Sequence, residues 1–439
     1  MRLRLFVALL VGLAGCAAEP PPPRPDVIVV VIDTLRADEL PPYGGAPENA
    51  PFLAELAAQG IVFENAWSTS SWTAPATASI FTSQHPNEHG VTVGLLIRSP
   101  IADQLEVSRI PEELETLPEF FKAHGYGTFA VTDNINVDEP LGFSDGFDRF
   151  RYLKGFAESG ARKLNEQVLA WREEILTDER PYFLYLHYMD PHEPYKRHAE
   201  WMAEDAPPVP DDRLTDRAAY RSEIRHTDEN IRAIFEALEV DEDTIVIVTA
   251  DHGQEFHDHG RTGHKWTLYS ELTRVPLIAR LGPAGPTGVS RANVSNIDLL
   301  PTLRQVLDTP PAEGDRGVSL LAAAAMETRG ERELFAMRTD CYHHSRPREL
   351  RSIVRGPYKL IVNEDSGAVE LYDLDADPAE SKDLAGDRPE VVRLLREALD
   401  EQDERARREG TRQAGGKELT EEERRQLEAL GYAGDDQDG

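Results

Sequence analysis

Three stretches of this chain carry side chains whose types and spacing could do chemistry. "DVIVVVID" (26–33) is a β-branched run that ends in a carboxylate, Asp33. "SWTAPATASIFTSQHP" (71–86) crowds serine and threonine hydroxyls into one loop that opens a helix, and "DTIVIVTADHGQEF" (243–256) sets Asp251 and His252 directly after a second apolar run. Singly each signal is weak, because an Asp at a strand end is commonly a turn former or a helix cap. Together, two acidic strand ends and a histidine can surround a divalent cation next to the hydroxyl loop. The cation matters because an unaided serine or threonine hydroxyl is a poor nucleophile near neutral pH. A bound metal lowers the pKa of water from about 15.7 to roughly 7, and a hydroxyl beside it gains in the same way. The helix after the loop would aim backbone N–H groups at an anion.

The elements that must position these groups are legible around them. Apolar runs at 26–33, 181–188 ("PYFLYLHY") and 243–253 read as strands buried on both faces. Helical patterns such as "APFLAELAAQG", "TLPEFFKAHGY" and "YRSEIRHTDENIRAIFEALEV" separate them, which predicts an α/β fold with a doubly wound, mostly parallel sheet flanked by helices. In such a sheet ligands bind beyond the strand C-termini, where Asp33, His187, Asp251 and His252 all fall. This main body is expected over 26–335. From there short strand-like pieces predict a small antiparallel sheet over 336–390, followed by a charged helical tail over 391–439 whose last residues, "GDDQDG", should fray.

The ordered set "VIDTLRAD", "SWTAPATASIFTSQHPNEHGV", "LHYMDPHEPY", "TADHGQEF", "GHKWTLYSELTRVPLI", "SNIDLLPTL" and "ELYDLDADPAESKDL" resembles the sulfatase family of the alkaline phosphatase superfamily. The resemblance runs from about residue 26 to 385. It implies the superfamily fold and a hydrolase acting on ester bonds. In sulfatases the nucleophile is a Cys or Ser matured to formylglycine, followed by any residue, Pro, Ser or Ala, and Arg. Here Thr73, Pro75 and Ala76 match by position, while Thr77 replaces the arginine. Threonine carries a methyl on Cβ, so oxidation there would give a ketone and the usual maturation is closed. Thr34 stands where a second Asp is expected, His252 where an Asn is common, and Asp133 and Ile135 where a sulfate-cradling Lys and His belong.

A carboxylate, a threonine and an Asp-His pair instead resemble the metal set of superfamily relatives that transfer phosphate-containing groups. The resemblance therefore implies Asp33, Thr73, Asp251 and His252 as ligands of one divalent ion (Mn, Zn, Ca or Mg), with Thr73 as nucleophile. It implies His192 as general acid and substrate contact, and His264 and Lys265 as further contacts to an anionic ester, glycan or lipid headgroup. The other loop hydroxyls, Ser70, Ser71, Thr77, Ser79 and Thr82, are expected to cap the helix or satisfy backbone. His257 and His259 read as solvated loop residues and His187 as either packing or functional. The expected reaction is hydrolysis or transfer of a phosphate ester, phosphodiester or phosphonate through a covalent Thr73 intermediate. Sulfuric ester hydrolysis without formylglycine, or anionic-glycan binding without catalysis, are the alternatives.

Composition bounds the partners. The net charge of −32, from 79 acidic and 47 basic side chains among 439 residues, would repel nucleic acid. "MRLRLFVALLVGLAGC" has the basic start and short apolar run of an export signal, and "LAGC" resembles the lipobox of bacterial lipoproteins, which implies removal of 1–15 and acylation of Cys16. "AAEPPPPRP" would then form, over 16–25, an extended tether from the membrane. The expected location is extracytoplasmic, lipid-anchored at the periplasmic face or outer membrane. The only other cysteine is Cys341, so an acylated Cys16 leaves no pair for a disulfide.

Overall fold

The run after Asp26 forms β1 (Val27–Ile32), and all six of its residues are buried. A computed structural model of the chain describes residues 24–94, 107–154, 160–202, 206–264, 266–340 and 348–411. The remaining main-sheet strands are β2 (Ile61–Trp67), β3 (Gly127–Thr132), β4 (Arg149–Tyr152), β5 (Tyr182–Tyr188) and β6 (Ile245–Thr249). After a short hairpin, β7 (Glu255–Phe256) and β8 (Thr262–Gly263), the sheet is completed by β9 (Arg274–Val275), β10 (Leu277–Arg280) and β11 (Gly288–Ser295). The order is β11-β2-β10-β6-β1-β5-β3-β4, with β9 pairing on β2.

Pairing of β1 with β5 and β6 is parallel, as are the β3–β5, β3–β4 and β2–β11 ladders; β10 lies antiparallel between β2 and β6, and short β9 pairs antiparallel with β2. The expected doubly wound, mostly parallel sheet is therefore observed. Central β1 has neighbours that come from later in the chain on both sides, so a crevice opens beyond the C-terminal ends of β1, β5 and β6. Helices Pro51–Gln59, Thr73–Thr82, Leu117–Ala123, Ala161–Ala170 and Arg217–Ala237 flank the sheet. No helix among the described residues is long and apolar enough to cross a membrane.

Helix Thr73–Thr82 is buried along its whole length, consistent with its small alanines and its proline confined to the first turn. Phe81 on this helix meets Phe143 at 5.2 Å and Tyr185 of β5 at 4.9 Å, both edge to face. Truncating an aromatic so placed costs about 3–5 kcal/mol, so these contacts fix the helix against the sheet edge that carries the site.

Strands β12 (Leu334–Asp340), β13 (Arg348–Arg355), β14 (Tyr358–Asn363) and β15 (Val369–Asp373) form the small antiparallel sheet, in sequential order. Helix Pro389–Glu409 covers it through Leu395, Ala398 and Leu399. The stretch 412–439, the larger part of the expected charged tail, lies outside the described residues. A second cluster, with Trp67 on one side and Leu334, Ile361 and Tyr372 on the other, joins this sheet to the main body. Beside it Lys359 and Glu380 form a fully buried ion pair at 2.9 Å, and the Lys359 ammonium sits 5.1 Å from the Trp67 ring centroid.

Candidate active site

Three fully buried groups converge where β1, β5 and β6 end: Asp33, His187 and Asp251. One ligand atom from each lies within 4.8 Å of the others. Asp33 follows β1 and is held there by its N–H, which donates to the Tyr188 carbonyl at 2.8 Å. Asp251 follows β6, and its Oδ1 accepts from the backbone N–H groups of His252 at 2.8 Å and Thr34 at 3.3 Å. His187 is in β5, with Nε2 3.5 Å from Asp33 Oδ2 and Nδ1 3.0 Å from the Tyr185 hydroxyl. The left-handed backbone of Thr34 (φ 56°) is costly for a β-branched residue, and it is what brings its N–H to Asp251.

Thr73 is the first residue of its helix and faces this group. Its Oγ1 lies 3.4 Å from Asp33 Oδ2 and 3.4 Å from His252 Nε2. His252 Nδ1 donates to the Gly253 carbonyl at 2.9 Å, so Nε2 is the acceptor nitrogen turned toward Thr73 and the carboxylates. Asp33, Thr73, Asp251 and His252 are thus brought into one cluster. His187 joins them, which settles its orientation toward the carboxylates rather than toward the core.

Asn134 joins as well, and sequence reasoning missed it. Its Nδ2 donates to Asp33 Oδ2 at 2.6 Å and to Thr73 Oγ1 at 3.3 Å, while its Oδ1 accepts from the Asn136 N–H at 2.8 Å. The signal was a polar pair directly after β3, at the same sheet edge as Asp33. Of the flanking residues compared with a sulfate cradle, Ile135 is buried among apolar side chains and Asp133 accepts from the Gly160 N–H at 2.6 Å.

The loop hydroxyls do not cap the helix. Trp72 occupies the N-cap position without a side-chain cap. Ser71 Oγ accepts from Arg338 at 3.1 Å, Ser79 bonds to His89 Nε2 at 3.0 Å, and Thr82 donates to the Ala78 carbonyl at 2.7 Å. Arg338, from β12 of the small sheet, also donates to the His264 carbonyl at 2.9 Å. It is a buried cation at the wall of the site that no local motif announces.

The two outer histidines are also in place. His192 Nδ1 donates to the Glu193 carbonyl at 2.6 Å and His264 Nδ1 to Gln254 Oε1 at 2.9 Å. Their ring centroids are 5.0 Å apart, and His264 is 4.6 Å from His252, so the three imidazoles form a row. Lys265 and Cys16 lie outside the described residues. His257 is exposed, but His259 is not solvated as expected. It pairs with Glu271 at 2.7 Å, reaches the Glu380 carbonyl at 3.2 Å and stacks on Tyr269 at 3.7 Å. Asp298 caps its own turn and pairs with Arg332 through both carboxylate oxygens.

Electrostatics separate the two carboxylates. Burial by itself would raise the Asp33 carboxyl, but the imidazoles around it, His187 with Nε2 3.5 Å away, His192 and His252, outweigh burial and hold it well below the ordinary range. Asp251 is pushed up by burial and by the charge of Asp33. Burial lowers His252 against the opposing pull of the Asp33 charge.

A divalent cation fits these residues. Asp33 Oδ1, Asp251 Oδ2 and His187 Nε2 are buried without a hydrogen-bond partner, and such atoms are expensive unless a ligand satisfies them. Two hard carboxylate oxygens and an imidazole nitrogen suit a divalent ion without selecting one metal.

The chain matches the family model described as Sulfatase over residues 25–309. It also matches the one described as N-sulphoglucosamine sulphohydrolase, C-terminal, over 258–406. It is 25% identical to the uncharacterized sulfatase YidJ of Escherichia coli K12, over 83% of this chain and 84% of that protein. A protein solved in complex with its substrate D-glucosamine-2-N,6-O-disulfate superposes with a TM-score of 0.72 at 18% identity, over 88% of this chain and 98% of that one. The phosphonate monoester hydrolase of Agrobacterium radiobacter superposes with a TM-score of 0.67 at 19% identity, over 88% and 96%.

Proposed function

We propose, from the premise that this chain belongs to the sulfatase family of the alkaline phosphatase superfamily and is an ester-bond hydrolase, that it cleaves a phosphate ester, phosphodiester or phosphonate through Thr73. The observation that carries this reading is the position of Thr73 Oγ1, 3.4 Å from both Asp33 Oδ2 and His252 Nε2 at a buried helix start. Its chemistry adds to the placement: the residue cannot be matured to formylglycine, so it must act as a plain alcohol.

Asp33, Asp251 and His187 would hold one divalent ion, with His252 and Thr73 facing the same space. When bound there, the ion supplies positive charge that lowers the pKa of the neighbouring hydroxyl and offsets charge on the transferred group. Asn134 fixes the Thr73 hydroxyl by donating to its oxygen, which leaves the hydroxyl proton to Asp33 or His252. Oγ1 attacks phosphorus, the bond to the ester oxygen breaks, and His192 gives that oxygen a proton. Water then attacks the phosphothreonine, the Oγ1–P bond breaks, and Thr73 is regenerated. Arg338 and Lys265 supply positive charge for the anion within a strongly acidic protein.

The test compares aryl phosphodiester, aryl phosphonate and aryl sulfate substrates, with and without Mn or Zn, and records the intact mass of the quenched enzyme. Turnover of the phosphorus esters with a phosphoryl or phosphonyl adduct on Thr73 is expected; turnover of the sulfate alone would end the reading. Sulfuric ester hydrolysis by unmodified Thr73 is the second reading, and it is favoured by the match to a sulphohydrolase C-terminal model. We further propose that the mature chain begins at an acylated Cys16, to be checked by the mass of its N-terminal peptide.

A further inference from the structure

Below the loop that follows β5 lies a second group of titratable side chains that the reaction above does not use. His198 and Glu200 come from that loop, two residues apart, and His226 comes from helix Arg217–Ala237, where Glu223 precedes it by three residues on the same face. One ligand atom each from His198, Glu200 and His226 lies within 4.8 Å of the others. The two imidazoles lie face to face, 4.2 Å between centroids and 9° between planes. His198 Nε2 donates to Glu223 Oε2 at 2.6 Å, so a buried carboxylate orients that ring. This is the arrangement by which ligating histidines are commonly held.

Two observations point to a ligand rather than to an ordinary ion pair. Asp190, whose side chain is 4% exposed, approaches His226 Nε2 to 3.9 Å, and its Oδ2 is buried without a hydrogen-bond partner. The group also gathers three carboxylates, Asp190, Glu200 and Glu223. Against them stand Arg162, 3.5 Å from Glu200, and the charge of Lys196 acting on Asp190. Stacking two imidazoles next to an unsatisfied carboxylate gains little as a neutral packing solution. It is well suited to donors that wait for a dication.

We propose that His198, His226 and Glu200 form a second divalent-cation site, of the zinc-like class that takes imidazole nitrogen and carboxylate oxygen, sharing no residue with the Asp33 group. Two histidines and one carboxylate make a three-ligand set with a fourth position left for Asp190 or water. Arg162 must release Glu200 on loading. The ion would clamp the loop carrying Asp190 and His192 to helix Arg217–Ala237, which makes its role the placement of that loop.

The experiment uses chelator-stripped full-length protein and Zn(II) alone, followed by equilibrium dialysis, with Co(II) absorption as a second signal. The Asp251→Asn variant, disabled at the other group, is expected to retain one equivalent. In that background Glu200→Ala, an exposed change that spares the core, and His198→Gln should each weaken the retained equivalent at least tenfold and reduce the Co(II) visible bands. No equivalent retained by Asp251→Asn, or one whose affinity is the same in both further variants, would overturn the proposal. Failure of the Asp33 group to bind metal would leave this equivalent in place, so the two readings are separable.

Discussion

At the scale of single residues, the hydroxyl at 73 and the amide at 134 make different contributions. Thr73→Ala removes the proposed attacking atom, and kcat should fall by about 10³-fold or more with no covalent adduct in the mass spectrum. Thr73→Ser keeps an oxygen at the same place and should retain the adduct. Asn134→Leu leaves the nucleophile but removes the donor shared by Asp33 and Thr73, so kcat should fall by about 10²-fold, a loss typical of one oriented donor, with little change in KM. Asp33, Asp251 and His252 were legible because each follows an apolar run whose length and β-branching declare a buried strand. Thr73 was legible only through its spacing to Pro75 within the family pattern. Asn134 and Arg338 were not: the first lies between two residues compared with a different cradle, and the second is a lone arginine in a strand of another sheet.

Among the elements, the β7–β8 hairpin shows how a loop becomes a structural joint. His259 at its tip is half-buried against Glu271, and although burial alone would lower its pKa, the Glu271 hydrogen bond and charge raise it to about 9. The folded state therefore holds this proton more tightly than the unfolded chain does, where the histidine titrates near 6.5. The stabilisation is complete below about pH 6.5 and is lost as pH rises through about 9. Thermal denaturation from pH 6 to 9.5 should show a decline in Tm that His259→Gln flattens. Sequence spacing could not show this, because the Glu380 carbonyl that also holds the ring is 121 positions away. Antiparallel β10 escaped notice for a different reason: four residues after Pro276 carry too little pattern to announce a strand, whereas β1, β5 and β6 are long enough to declare both type and burial.

At the scale of the whole molecule, charge and the second sheet set the terms. With a net charge of −32, the protein's overall field opposes an anionic substrate, and salt shortens its reach from roughly 30 Å at 0.01 M to about 8 Å at 0.15 M. kcat/KM for a dianionic aryl phosphate should therefore rise over that range, measured at constant metal. The buried Lys359–Glu380 pair lies within the C-terminal part and bonds to the main body through Thr273 Oγ1 and the Ser270 N–H; Lys359→Met strands a carboxylate and should cost about 3–5 kcal/mol in urea unfolding. The arginine that β12 sends to Ser71 and the His264 carbonyl has an evolutionary corollary. Part of the candidate site's wall is encoded by the far end of the gene. Chimeras exchanging everything from Leu334 onward between relatives should take their leaving-group preference partly from the donor of that end, so new specificities can arise by recombination while the attacking alcohol stays untouched.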